Sequence, residues 1–182
     1  LVTIEENAFY YSTIESLIIP SKVSILQNSW CNMTSKLTKI KIMPKNQYFI
    51  YFDDGLVIGK ADITSVEFDS IFFARRDIVN PIIPSFIQRI CSYAFQYSLI
   101  EKILIPSNIT HIYQNAFERC ENLKYVEIEQ NSKLKIIDNY AFAKTGIEYF
   151  HIPSNVYSIG SYSFDRCFSQ KILSFHLIQN FI

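Results

Sequence analysis

The chain has 182 residues, of which 49% are hydrophobic and 15% aromatic. That length suits one domain or two small ones, and the apolar fraction excludes an intrinsically disordered chain. Basic and acidic residues both number 17, so the basic excess typical of a nucleic-acid-binding protein is missing. The four Gly form neither of the glycine-rich phosphate-binding motifs, which excludes nucleotide binding through those loops. No apolar run reaches the roughly 20 residues of a membrane-spanning helix, so we expect no membrane insertion within this segment.

An aromatic residue preceded by a small one recurs about every 23 residues, apart from one long gap. The pairs are Ala8-Phe9, Ser29-Trp30, Ala94-Phe95, Ala116-Phe117, Ala141-Phe142 and Ser163-Phe164. Two aliphatic residues stand eight and five positions before each aromatic, as Ile109 and Ile112 do in one copy. In the unit at Trp30, Ile25 fits the position five residues before the aromatic and is expected in the core. Lys22 stands where the other aliphatic should be, and Val23 is one place late. A fixed period of this length is typical of a stacked repeat.

A second pattern follows each aromatic: an aliphatic residue, with apolar residues three and five positions after it. The copies are Ile14/Leu17/Ile19, Leu37/Ile40/Ile42, Ile100/Ile103/Ile105, Leu123/Val126/Ile128 and Ile147/Phe150/Ile152, with weaker ones at Ile63/Val66/Phe68 and Ile172/Phe175/Leu177. The closing pair has the i, i+2 period of a strand with one buried face. Pro20, Pro106 and Pro153 directly follow such pairs and end the strand, because Pro has no N–H to donate.

Together these patterns predict a repeat solenoid of about seven coils, since a single coil cannot bury its own apolar side. Each coil of about 23 residues would hold one short parallel β-strand and a helical or 3₁₀ turn that bears the aromatic residue. A β-sandwich of short, regularly spaced strands is the alternative. We disfavour it, because a sandwich would not repeat the same apolar code along the chain.

The repeat pattern is interrupted between about residues 43 and 81, within a gap of almost three repeat lengths that contains no small–aromatic pair. Two apolar runs, 48–52 and 56–58, flank Asp53-Asp54-Gly55, and Asp-Gly is a strong hairpin-turn signal. A calcium loop is the functional alternative, but the spaced acidic ligands of such a loop are missing. We expect a degenerate, hairpin-bearing interlude within a single solenoid domain over residues 1–182.

Residues 105–126 read IPSNITHIYQNAFERCENLKYV. This segment resembles the repeat of BspA-type leucine-rich-repeat surface proteins, roughly I-P-S-x-V-x-x-I-x-x-x-A-F-x-x-C-x-x-L-x-x-I. Copies at 83–103 and 152–167 resemble it too, and the likeness covers about 1–42 and 82–170. It implies a right-handed leucine-rich-repeat solenoid on the surface of a bacterium or a protozoan. It also implies a role in adhesion to host cells, matrix proteins or other microbes.

Non-catalytic protein binding is the function that this scaffold predicts. An intracellular repeat scaffold for protein–protein interaction, hence a cytoplasmic location, is the alternative, and unpaired cysteines mildly favour it. Two sequons begin at Asn32 and Asn108. They would accept N-glycans if the chain passes through a eukaryotic secretory pathway, so glycosylation would favour the surface location.

The residues between the apolar positions of each strand point outward and line an extended face. We expect the partner-binding patch on this face to comprise Lys102, Leu104, Tyr125, Glu127, Tyr149 and His151. Tyr125 and Tyr149 hold equivalent positions in neighbouring coils and should lie about 5 Å apart. Exposed Tyr is enriched at protein interfaces, although a solvated sheet with cross-strand pairs would use the same residues.

Cysteine and histidine spacing predicts no catalytic, metal or cofactor site. The cysteines at 31, 91, 120 and 167 form no C-x-x-C motif, and no His lies at zinc spacing. Cys120 and Cys167 share a repeat position with Ser98 and Thr145, which indicates a small buried residue. They belong to coils two apart, about 10 Å, which is too far for a disulfide. We therefore expect neither an enzyme nor a cofactor-binding protein.

Overall fold

The structure is a computed structural model that describes residues 1–53, 55–167 and 172–175. These residues form strands and turns but no helix, and the chain winds into a β-solenoid of about seven turns. In chain order the strands are β1 (Thr3–Ile4), β2 (Ser16–Ile19), β3 (Ile25–Leu26), β4 (Lys39–Ile42), β5 (Phe49–Phe52), β6 (Leu56–Gly59), β7 (Ser70–Ala74), β8 (Arg89–Ile90), β9 (Lys102–Ile105), β10 (His111–Ile112), β11 (Tyr125–Ile128), β12 (Ile136–Ile137), β13 (Tyr149–Ile152), β14 (Ser158–Ile159) and β15 (Ile172–Phe175).

Each regular coil holds two strands, a two-residue strand before the aromatic residue and a four-residue strand after it. The four-residue strands pair in parallel as β2–β4 and as β9–β11–β13–β15, and we call their outer side the long-strand face. The two-residue strands pair in parallel as β1–β3 and as β8–β10–β12–β14. The solenoid is confirmed, whereas the expectation of one strand per coil is wrong.

The expected helical or 3₁₀ turn is also wrong, and the backbone around Phe117 gives the reason. The Phe117 N–H donates to the carbonyl of Ala141 in the next coil, whereas the Glu118 N–H donates to Asn115, three residues back. Local and inter-coil hydrogen bonds therefore alternate along this segment. Asn115 and Arg119 have φ of 56° and 60°, in the left-handed region that a right-handed helix cannot include.

The recurring aromatic residues of the C-terminal coils stack on one another, ring upon ring. The centroids of Phe95 and Phe117 are 4.9 Å apart, those of Phe117 and Phe142 are 5.0 Å apart, and those of Phe142 and Phe164 are 5.4 Å apart. The rings are within 12° of parallel in all three pairs. The separation matches the spacing of neighbouring strands, so each coil adds one ring to a continuous column.

The coil that carries Trp30 is shifted by one residue from the register that its sequence predicts. In a regular coil the aromatic N–H donates to the carbonyl of the next coil's small residue, as Phe95 does to Ala116. The Phe9 N–H donates instead to the carbonyl of Trp30. Trp30 therefore takes the place of the small residue, and Cys31 takes the place of the aromatic.

This shift accounts for the irregular aliphatic spacing of the same coil. Val23 and Leu26 stand eight and five residues before Cys31, and both are buried. Ile25, which the sequence pattern assigns to the core, is 38% exposed. The prediction that Ile25 is the core residue five positions before the aromatic is therefore wrong. Val23 is one place late only when counted from Trp30, and it has the regular spacing when counted from Cys31.

The interlude contains the predicted hairpin. Strands β5 and β6 pair antiparallel, and Asp53 in the connecting turn has φ of 47°. Strand β7 pairs antiparallel with β6 and parallel with β8, so the interlude extends the sheet of short strands. The weak strand copy proposed for this region is wrong, because Ile63 is 53% and Val66 86% exposed in a segment of turns.

The strands of the interlude lie between two groups of buried residues. Val57 and Phe73 pack with the N-terminal coils, in the group that contains Trp30. Ile58 and Ile71 pack with the C-terminal coils, in the group that contains the phenylalanine column. Both sides of β6 are therefore buried, which explains why it is apolar at every position but Gly59.

A buried arginine lies between these two groups of buried residues. Arg76 is 2% exposed, and its guanidinium donates to the carbonyls of Ala94 at 2.9 Å and Tyr93 at 3.3 Å. The guanidinium also lies 4.4 Å from the centre of the Phe73 ring. Within the described part of the chain no carboxylate pairs with it, and burial lowers its pKa.

Buried amide and carboxylate groups connect the same two parts of the solenoid. The Gln96 side-chain oxygen accepts from the Met33 N–H at 2.8 Å, and its amide donates to the Glu118 carboxylate at 2.9 Å. Glu118 also accepts from Asn115 at 2.8 Å and forms an ion pair with Lys144 at 3.2 Å. This network links coils on both sides of the interlude and fixes the position of the N-terminal strands relative to the rest.

Candidate functional site on the long-strand face

Side chains alternate between buried and exposed along the strands of the long-strand face. On β9, Ile103 is buried whereas Lys102 and Leu104 are exposed. On β13, Phe150 is buried whereas Tyr149 and His151 are exposed. The same alternation holds on β11 for Tyr125 and Glu127, so all six predicted patch residues point outward.

The strand register brings the six residues together in one patch. Tyr125 lies beside Lys102 on one side and beside Tyr149 on the other, as the sequence predicts. Glu127 lies beside Leu104. Neighbouring strands are about 4.8 Å apart, so the patch spans three strands and about 10 Å across the sheet.

The exposure of the patch is unusual for apolar side chains. Tyr125 is 63% exposed, Tyr149 53% and Leu104 46%. Lys102 and Glu127 supply one charge of each sign next to them. An exposed aromatic centre with charges at its edge is the composition that protein interfaces favour.

A groove of about 540 Å³ lies at the edge of this patch. Its lining residues are Asn80, Glu101, Lys102, Asn122, Lys124 and Tyr125. Sequence reasoning missed Asn80 and Asn122, because both lie in turns outside the repeating strand pattern. Their carboxamides can donate and accept hydrogen bonds, so they add polar recognition beside the Tyr125 ring.

The long-strand face is interrupted between β4 and β9, where the chain after β7 crosses it without forming a strand. Arg75 and Asp77 form an ion pair of 2.7 Å there, which lowers the pKa of the Asp77 carboxyl. A smaller groove of about 210 Å³ lies at this break, lined by Thr38, Lys39, Ile40, Tyr51, Arg75 and Asp77. The face therefore has two parts, β2–β4 and β9–β15.

The surroundings of the cysteine thiols indicate a structural role and not a reactive one. All four are free, and burial raises the pKa of Cys91 and of Cys120 to about 12. The Cys120 thiol donates to the carbonyl of Phe95 at 3.0 Å, as expected for a small buried residue. Thiols with so high a pKa are protonated at neutral pH and are poor nucleophiles. In the described ranges, no three His, Cys, Asp or Glu residues are placed to hold a metal ion.

Both sequon asparagines make hydrogen bonds in the folded chain. The Asn32 side-chain oxygen accepts from Gln96 at 3.2 Å, and the hydroxyl of its sequon partner Thr34 is buried and donates to the Cys31 carbonyl. The Asn108 amide donates to the carbonyl of Ser85 in the preceding coil at 2.9 Å.

No helix in the described part of the chain is long and apolar enough to cross a membrane. A family model described as the BspA type leucine-rich repeat region matches residues 1–72 and 56–171, with 6 copies. No curated protein matches the chain significantly.

Solved structures of bacterial proteins share the fold. The pneumococcal vaccine antigen PcpA matches with a TM-score of 0.77 at 19% identity, over 88% of this chain and 38% of that one. A leucine-rich cell surface protein from Faecalibacterium prausnitzii A2-165 matches with a TM-score of 0.81 at 20% identity, over 92% and 43%. This chain thus spans less than half the length of either protein. The family model covers most of the chain and the coils repeat as it requires, so the chain belongs to the BspA-type leucine-rich-repeat proteins.

Proposed function

We propose that the chain is a non-catalytic protein-binding module and that the patch on β9, β11 and β13 holds the ligand. The observation that carries the proposal is the in-register row of exposed side chains, with Tyr125 beside Tyr149 and Leu104 beside Glu127. Tyr buries a large area at low cost in side-chain entropy, which makes an exposed pair a suitable centre for an interface. Lys102 and His151 would supply polar contacts at its edge.

We further propose that the module acts in adhesion at the cell surface, toward host-cell, matrix or microbial proteins. Two of its structural neighbours are a vaccine antigen and a cell surface protein, which supports this location. For a chain that passes through a eukaryotic secretory pathway, the proposal includes N-glycans at Asn32 and Asn108. Residues 1–182 would then act as one rigid solenoid that presents the patch.

An intracellular scaffold is the second candidate, because all four cysteines are free. Free thiols are common in reducing compartments and unusual on secreted proteins. Fractionation of native cells separates the two. Recovery of the chain with surface-labelled protein supports adhesion, and recovery only with cytosolic protein supports the scaffold.

The binding patch is tested by its two tyrosines. The Tyr125→Ala/Tyr149→Ala variant is compared with native chain for binding to a panel of purified matrix and cell-surface proteins. We expect roughly a tenfold or greater loss of affinity for every ligand that the native chain binds, because two central aromatic anchors are removed. The measurement is surface plasmon resonance with the intact chain immobilised.

The matched control is Tyr10→Ala/Tyr157→Ala, which removes two tyrosines of similar exposure, 57% and 72%, that lie outside the patch. We expect this variant to bind as the native chain does. Equal affinity of the patch variant and the control variant would reject the assignment of the patch. Circular dichroism of both variants establishes that the fold is retained.

A further inference from the structure

The zero net charge of the chain conceals a strong local asymmetry. Residues 16–52 contain five Lys and no Asp or Glu, whereas the rest of the chain holds 12 basic and 17 acidic residues. All five lysines are exposed, and four of them, Lys36, Lys39, Lys41 and Lys45, are close together in the chain. They follow one another through β4 and the turns at its two ends, and we call them the lysine row.

The lysine row is linear because β4 is extended. Lys39 and Lys41 alternate with the buried Ile40, so both project from the long-strand face about 7 Å apart. Lys36 and Lys45 continue the row in the turns before and after the strand. On the paired strand β2 their neighbours are Ser16, beside Lys39, and Ile18, beside Lys41, which carry no charge.

The lysine row also has no carboxylate partner, whereas several arginines and one lysine elsewhere in the described residues do. Arg75 pairs with Asp77, Lys144 with Glu118, and Arg166 with Asp165. None of the four lysines has a carboxylate within ion-pair distance in the described part of the chain. The nearest acidic residue in sequence is Asp53, eight residues after Lys45. Asp77 lines a groove together with Lys39, but its carboxylate is paired with Arg75. A row of unpaired charges on a flat sheet attracts a ligand of opposite sign and extended shape.

We propose that the lysine row binds a linear sulfated polysaccharide. The row differs from a protein-binding surface, because Lys is depleted at protein interfaces whereas Tyr and Arg are enriched. It differs from a single-stranded nucleic-acid site, which stacks successive bases on several aromatic side chains. Residues 36–45 contain no aromatic residue, and Tyr51 shares a groove with Lys39 alone of the four lysines. Lysine is a point charge on a flexible stem, which suits sulfate groups spaced along a polymer and needs no fixed geometry.

This site is separate from the tyrosine patch in residues, strands and ligand. The two parts of the long-strand face are divided by the break between β4 and β9. One ligand could therefore be bound without the other, and either proposal can fail alone.

The test uses the intact chain and heparin, a highly sulfated linear polysaccharide, as the probe. Binding is measured by isothermal titration calorimetry at several salt concentrations around 0.15 M. The Lys39→Gln/Lys41→Gln variant should bind heparin roughly tenfold or more weakly and show a flatter dependence on salt, because fewer counterions are released. The matched control Lys133→Gln/Lys135→Gln removes two exposed lysines that lie outside the tyrosine patch and its groove, and it should change affinity less than about twofold.

Four results would overturn the proposal. The first is no heparin binding by the native chain near 0.15 M salt. The second is an equal loss in both double variants, which would indicate a general effect of net charge. The third is tighter binding of polyglutamate or of a single-stranded oligonucleotide than of heparin, which would assign the row to an acidic protein or to a nucleic acid. The fourth is aggregation of the Lys39→Gln/Lys41→Gln variant with unchanged heparin affinity. Lysines on an edge strand hinder strand pairing between molecules, and this result would assign the two lysines that role instead of polysaccharide binding.

Discussion

Single residues set the local register of this solenoid, and Cys31 shows how. The residue stands where other coils carry Phe, and its neighbour Trp30 supplies the missing bulk from one position earlier. A sequence pattern that is aligned on the aromatic residue therefore assigns every position of this coil with an error of one residue. The aliphatic residues Val23 and Leu26 keep the true spacing, so the core-facing aliphatics are the better guide when an aromatic is displaced.

Burial also determines the chemistry of the cysteines. Since the pKa of the Cys120 thiol is raised to about 12, its thiolate fraction at pH 8 is on the order of a thousandfold below that of an unperturbed cysteine. We expect iodoacetamide to modify Cys120 in the folded chain slower by at least that factor than in the unfolded chain. Peptide mass spectrometry over a time course measures the two rates.

The control for this prediction is the same reaction in guanidinium chloride, where all four cysteines should react at similar rates. Modification of native Cys120 at the unfolded rate would contradict the buried thiol. It would also remove the argument that Cys120, Ser98 and Thr145 share one buried position in the repeat.

At the level of elements, the repeating patterns predict strands better than they predict turns. The i, i+2 pairs identify the strands of the long-strand face, because burial of one side imposes a period of two. The turn around Phe117 could not be derived in this way. Its conformation depends on hydrogen bonds to the next coil and on left-handed φ at Asn115 and Arg119. The residue preferences within one repeat predict neither of these features.

The phenylalanine column is the element whose loss should cost most. Phe117 is fully buried between Phe95 and Phe142, so Phe117→Ala should lower the free energy of unfolding by about 3–5 kcal/mol. Phe164 is only partly buried, so Phe164→Ala should cost less. Urea denaturation followed by circular dichroism compares the two variants, and equal costs would contradict a column that is anchored at its centre.

At the scale of the whole molecule, the interlude is what the sequence predicts least well. The hairpin over residues 49–59 follows from its turn residues, but the role of β6 and β7 between two cores does not. Arg76 illustrates the difficulty, because a charged residue would ordinarily be placed on the surface. Its burial is tolerated because the carbonyls of Ala94 and Tyr93 accept hydrogen bonds from the guanidinium.

The arrangement of the whole face supports two adjacent surfaces of different chemistry. The tyrosine patch on β9–β13 has the composition of a protein interface, and the lysine row on β4 has that of a polyanion site. Both the patch residues and their outward direction could be derived from the sequence. The grooves beside them could not, because Asn80 and Arg75 come from the irregular chain after β7.

The most direct test of the central claim, that the long-strand face binds protein, is site-specific photo-crosslinking. Benzoylphenylalanine replaces Leu104 within the patch or Tyr157 outside it, and each labelled chain is irradiated on intact host cells or with matrix protein. We predict that the chain labelled at 104 forms covalent adducts with a small set of proteins, identified by mass spectrometry, and that Tyr125→Ala/Tyr149→Ala abolishes them. Adducts of equal yield from position 157, or adducts that persist in the double variant, would contradict the account.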